Sequence, residues 1–129
     1  MSINAEKLEK MLLAFGGNTA YIDNSDPDFD NYFLRGLFID RPSDIIVQGE
    51  MCQCHKNSIM LWKTHKKKYK MMTGYALSEK GTWHQHSWLI DENNRIIETT
   101  EKRVKYFGYV LNSLESETFL ITYTQNEDC

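Results

Sequence analysis

Residues 69–100, YKMMTGYALSEKGTWHQHSWLIDENNRIIETT, decide the fold. Three short runs, 70–77, 82–91 and 95–100, read as strands, and the residues between them are turn formers. Ser78-Glu79-Lys80-Gly81 joins the first two runs and Glu92-Asn93-Asn94 joins the last two. Linkers this short fit only antiparallel neighbours, so the stretch reads as a meander. Residues 106–111 extend it by a further strand.

Upstream the period changes. Leu8, Met11, Leu12 and Phe15 recur at i, i+3, i+4 and i+7, which predicts a helix capped by Asn4 and stopped by Gly16-Gly17. Asp26-Pro27 reads as an N-cap followed by proline in the first turn of a short helix carrying Phe29, Tyr32 and Phe33. A stronger helix is predicted over 54–65, with Ile59, Leu61 and Trp62 on its buried side. Residues 37–39 are a short apolar run broken by Arg41-Pro42-Ser43, Ile45-Ile46-Val47 reads as a short strand or an extended entry into Gln48-Gly49, and 113–123 is ambiguous between helix and strand. Helices followed by a meander give one α+β domain spanning 1–129.

The 129 residues suffice for one core and not for two. A net charge of −3 offers no basic field for nucleic acid, and no run reaches the roughly 20 apolar residues of a membrane helix. The N-terminus lacks a secretory pattern. Cys52, Cys54 and Cys129 are an odd set without framework spacing, which predicts free thiols in a reducing, cytoplasmic setting. The acidic end, Glu127-Asp128-Cys129, is expected to fray.

Cys54 opens the second strong helix. A thiol is a nucleophile only as thiolate, and its reference pKa of about 8.5 falls at a helix N-terminus beside a histidine. The unpaired N–H groups there can also hold an oxyanion. His86 on the second strand of the meander can serve as base, and Glu98 on the next strand can orient it. Strand parity sets a condition. A two-residue turn at Asn93-Asn94 would set Ile90 against Ile97 and put His86 and Glu98 on opposite faces, so the trio requires one extra residue, in a three-residue turn or a bulge.

Gly49-Glu50-Met51-Cys52-Gln53-Cys54, then Thr73-Gly74-Tyr75-Ala76, His86-Ser87-Trp88 and Ile97-Glu98-Thr99-Thr100, resemble the transglutaminase-like branch of the papain-like thiol enzymes. The resemblance covers residues 48–100. It implies a nucleophile helix packed on an antiparallel sheet, with Cys54 as nucleophile, His86 as base, Glu98 as third member, and Gln48 with the Cys54 N–H as oxyanion donors. It implies hydrolysis of an amide or peptide bond through a thioester, or acyl transfer to an amine, on a protein, peptide or small-amide substrate, without a cofactor. The chain departs from that pattern in having glutamate where aspartate or asparagine is usual, a short histidine-to-acid spacing, and His55 directly after Cys54.

Other assignments stand beside these. Cys52-x-Cys54-His55 with His84-x-His86 contains zinc-compatible ligands, so a zinc-stabilised binding module is an alternative, as is a catalytically inactive papain-like binding module. Asn57 can cap the helix or wall a pocket, and Trp83 and Trp88 are core aromatics or pocket walls. The basic run from Lys63 to Lys70 reads as a solvated helix end.

Overall fold

The structure, a computed structural model, describes residues 2–125; the acidic end at 127–129, Cys129 included, lies outside them. Among the described residues are four helices and a seven-stranded, mostly antiparallel sheet, an α+β architecture. The elements in chain order are α1 (Ile3–Phe15), β1 (Thr19–Ala20), α2 (Phe29–Arg35), β2 (Leu37–Ile39), β3 (Ile45–Ile46), α3 (Cys54–Thr64), β4 (Tyr69–Ser78), β5 (Thr82–Asp91), β6 (Ile96–Glu98), β7 (Arg103–Val110) and α4 (Ser113–Gln125). None of these helices is long and apolar enough to cross a membrane.

The meander forms where the sequence places it, and β5 matches its expected span. The strand order is β2-β7-β4-β5-β6-β3, with β1 beside β5. Two pairings are parallel, β1 with β5 and β3 with β6, and both use short pieces from the helical half of the chain. The expected order of helices first and strands afterwards is thereby amended, since β2 and β3 dock on β7 and β6 at the two ends of the sheet and β1 lies beside β5. The ambiguous segment after Ser113 is helical. Asn112 and Glu115 exchange side-chain-to-backbone hydrogen bonds at its start, and Arg35 ties Glu115 to α2 at 2.8 Å.

Two helix starts differ from expectation. Ser2, not Asn4, caps α1, its hydroxyl accepting the Ala5 N–H at 3.1 Å. Asp26 lies before α2 rather than at its cap. Its carboxylate accepts the Asp28 N–H and the buried Tyr32 hydroxyl, a closer use of the charge than an exposed cap.

Alternation along the strands divides the core. Tyr75, Leu77, Trp83, Leu89, Ile97, Phe107 and Tyr109 face the helices. On the other face Met72, Ala76, Trp88, Ile96 and Tyr106 form a smaller cluster. Gly74 and Gly108 pair across β4 and β7 on that second face. A methyl group on Gly108 would lie 2.8 Å from the Trp88 ring, so the glycine makes room for the indole that flanks His86.

Candidate active site

Parity is settled by the turn between β5 and β6. Leu89 pairs with Ile97 and Ile90 with Ile96, a register that leaves three residues, 92–94, beyond the Asp91–Arg95 closure. Asn94 adopts φ 61, the left-handed conformation that closes a three-residue hairpin turn, and its N–H bonds the Asp91 carbonyl at 3.0 Å. The Asp91 carboxylate holds the turn by accepting the N–H groups of Asn93 and Arg95. One step beyond the Leu89–Ile97 pair, Glu98 is level with Trp88. His86 lies two residues along on the same face. The extra residue that the trio requires is present.

Glu98 is fully buried and accepts from five donors. His86 Nε2 lies 2.9 and 2.8 Å from its two oxygens. The Thr99 and Thr100 N–H groups reach it at 3.2 Å, and the Thr100 and Tyr106 hydroxyls at 3.0 and 2.8 Å. The Tyr106 hydroxyl is itself 2.6 Å from Ser43 Oγ, in the loop between β2 and β3. Burial alone would favour protonated Glu98; the bond and charge of His86, the Tyr106 bond and the Arg103 charge outweigh it and hold the carboxyl below its ordinary range.

With Nε2 committed to Glu98, Nδ1 is the ring nitrogen left for the thiol. Burial pushes the His86 imidazole down, but its bonds to Cys54 and Glu98 more than compensate and hold it up at about 9. Burial likewise pushes the Cys54 thiol up. The His86 bond and charge, with the Ser87 N–H, reverse that and leave it below the usual thiol value, against a smaller opposing effect of the Glu98 charge. The pair thus favours thiolate with imidazolium.

The sheet opens where the sulfur sits. Asp91 N–H bonds the Arg95 carbonyl, so odd-numbered amides of β5 point toward β6. β6 ends at Glu98, and the Ser87 N–H, on the same side, bonds the Cys54 thiol instead. The chain reaches this gap beside β6, Val47 and Gly49 donating to the carbonyls of Glu98 and Thr99, and turns into α3 through Cys52 at φ 62. The first intrahelical bond of α3 runs from the Asn57 N–H to the Gln53 carbonyl, so the Cys54, His55 and Lys56 N–H groups precede it without helical partners.

Cys54 and His86 line a cleft of about 750 Å³. Met51, His55, Lys80, His84, Glu101 and Arg103 are among its other lining residues. His84 is exposed and its ring lies 5.1 Å from that of Tyr21.

Several expectations are corrected. Gln48 does not line the cleft: its exposed side-chain amide donates to the Gly49 carbonyl at 3.0 Å, because the backbone of 47–49 is pinned to β6 and directs the side chain outward. Asn57 neither caps α3 nor walls the cleft; its Nδ2 donates to the Glu50 carbonyl at 2.8 Å and clamps the preceding loop. Trp83 is a core residue whose Nε1 donates to the Gly16 carbonyl. Trp88 is equally buried, its ring stacked 6.2 Å from that of His86, so it backs the imidazole and leaves the cleft to others. Cys52 is disulfide-bonded, which corrects its expected free thiol, whereas Cys54 is free.

The zinc-compatible residues have other engagements: His55 with Ser87, and His86 between Cys54 and Glu98. Among the described residues no group of three or more histidines, cysteines and carboxylates is gathered as a metal site. Sequence reasoning missed Ser43, Ser87 and Tyr106 as parts of the site; alternation on β7 placed Tyr106 on a strand without revealing that it faced the acid. No family model matches the chain. No curated protein matches it, and no solved structure does either.

Proposed function

We propose that the chain is a cysteine-nucleophile acyl-transfer enzyme with a Cys54-His86-Glu98 triad, acting most directly as a hydrolase of amide or peptide bonds. The observation that carries this reading is the alignment of the half-buried Cys54 with the buried His86 and Glu98, in which the thiol is lowered and the imidazole raised to about 9. A nucleophile helix set against an antiparallel sheet that bears base and acid supports a papain-like fold.

In the proposed reaction the Cys54 thiolate attacks the carbonyl carbon. The developing oxyanion is held by the open N–H groups of the first turn of α3, without Gln48. His86 passes a proton to the leaving amine as the tetrahedral adduct collapses to a thioester. Water or an amine, losing a proton to His86, then attacks the thioester and regenerates the thiolate. Glu98 holds the imidazole so that Nδ1 faces sulfur throughout.

The test is acylation by p-nitrophenyl acetate, read by intact mass and peptide mapping. The expected result is an acetyl thioester on Cys54, formed with release of p-nitrophenolate at neutral pH, and none in Cys54→Ala. Equal rates of p-nitrophenolate release in wild type and Cys54→Ala would reject the mechanism.

A further inference from the structure

We propose that Ser87 is a positioning residue, fastening the nucleophile helix to the strand of its own base through its amide, hydroxyl and carbonyl together. The proposal rests on the triad reading and adds to it a group outside the triad. Ser87 is fully buried between His86 and Trp88 on β5. Its N–H bonds the Cys54 thiol. Its Oγ lies 2.6 Å from His55 Nδ1 and 2.9 Å from Thr73 Oγ1 on β4, and its carbonyl accepts the Ser58 hydroxyl at 3.3 Å. One residue therefore meets α3 at positions 54, 55 and 58, a single helical turn.

The chain of contacts runs on to the base. Thr73 Oγ1 donates to the His86 carbonyl at 3.4 Å, so the network that grips the helix also grips the backbone of His86. The alternation of β5 explains why a serine serves here. The His86 ring points to the second face with Glu98, while the side chain of residue 87 points to the helix face. A small hydroxyl at 87 is short enough to bring α3 against the strand, so that sulfur reaches around the open edge to the ring. His55 joins as a neutral partner: burial first, then the His86 charge, lower its imidazole to about 4. Its ring is braced by Phe119 and Tyr123 of α4, at 5.8 and 4.7 Å. This assigns a role to the histidine directly after the nucleophile.

Cys54 is faced by His86 from β5, by Glu98 from β6 and by His55 on its own helix. Deleting the Ser87 hydroxyl leaves all three in place and loosens only the spacing. The experiment is the pH profile of iodoacetamide alkylation at Cys54, mapped by peptide mass, in wild type, Ser87→Ala, His55→Phe and the double variant. His55→Phe keeps an aromatic ring against Phe119 and Tyr123 while removing the nitrogen. Each single variant is expected to raise the midpoint by about one pH unit, about tenfold slower alkylation below the wild-type midpoint, at unchanged near-UV circular dichroism. The double variant is expected to be no worse than either single one, because both break the same link.

A folded Ser87→Ala with the wild-type profile would overturn the proposal, as would full additivity in the double variant. Should Ser87→Ala fail to fold, His55→Phe decides alone: an unshifted midpoint overturns it and a raised one upholds it. A wild-type Cys54 that alkylates like an ordinary thiol marks failure of the triad reading itself, a result distinct from unshifted variants of an activated wild type.

Discussion

Replacing Glu98 with glutamine removes one charge at nearly constant volume, and the hydrogen bonds around the carboxylate dictate how the amide must sit. One carboxylate oxygen accepts from His86 and Tyr106; the other accepts from His86, both threonine N–H groups and the Thr100 hydroxyl. The amide NH2 cannot sit in the second place without meeting three donors, so it takes the first. There the Tyr106 hydroxyl can rotate to accept from it and turn its own proton to Ser43. His86 Nε2, within 3 Å of both positions, is left with a donor on one side and no negative charge to support the imidazolium. A hydrogen bond to a charged group contributes about 1.5–3 kcal/mol, and about 1.4 kcal/mol is one pH unit. The thiolate–imidazolium pair should therefore lose about one to two units of thiol depression. Direct repulsion between Glu98 and the thiolate works the other way, but it is the smallest influence on Cys54 and does not change the sign. Thiolate ultraviolet absorbance, titrated in Glu98→Gln against the same background with Cys54→Ser, should show the midpoint rising by that amount. A folded Glu98→Gln with an unmoved or lower midpoint would refute the reasoning.

Two further outcomes are expected. Gln48→Ala should change the rate of Cys54 acetylation by less than about twofold, since its amide faces the Gly49 carbonyl and not the cleft; a loss near the 10²–10³ of an oxyanion donor would show that the side chain swings in. Stability should also fall on both sides of neutrality. His86 is raised from 6.5 to about 9, so its contribution is complete below 6.5 and is lost as pH rises toward 9. Glu98 is depressed, so its contribution is present above 4.5 and lost as pH falls through its lowered value. Thermal unfolding of wild type minus Glu98→Gln, measured across pH, should trace both limbs, and a flat difference would count against the pair.

The sheet was legible because alternation and turn chemistry are local. The spans of α3 and β5 are set by residues within a few positions of their ends. The parallel docking of Thr19–Ala20 on β5 and of Ile45–Ile46 on β6 was not legible, for two-residue strands carry no period and their partners lie more than fifty residues away. Within the site, Cys54, His86 and Glu98 could be picked out from a helix start, two neighbouring strands and the family resemblance, and the parity of Glu98 could be posed as a question about one turn. Asp91 and Asn94 answered it through hydrogen bonds that the sequence permits without compelling. Gln48 failed for the converse reason: spacing from Cys54 says nothing about which way a side chain leaves a segment held by β6. Tyr106 reaches the acid from β7, and Ser43 reaches the Tyr106 hydroxyl only because the β2–β3 loop crosses the second face of the sheet.

Stability does not account for this network. A buried ion pair is offset by its desolvation, and apolar residues of similar volume commonly hold a core as well or better. The chain nevertheless keeps a buried carboxylate and imidazole together beside a half-buried thiol, and commits five donors to the carboxylate. Three buried polar atoms without a protein partner lie nearby: Nε1 of Trp88, whose ring stacks on His86; Oγ1 of Thr99, next in sequence to Glu98; and Nε of Arg103, whose charge bears on Glu98. Each such atom is costly, and elsewhere in the described core polar side chains are paired. Local rules are broken where function demands a geometry that packing alone would not choose. Full satisfaction of Glu98 beside three unpaired neighbours is what the proposed ionisation of Cys54 calls for, because nothing in the folding of a sheet requires that arrangement.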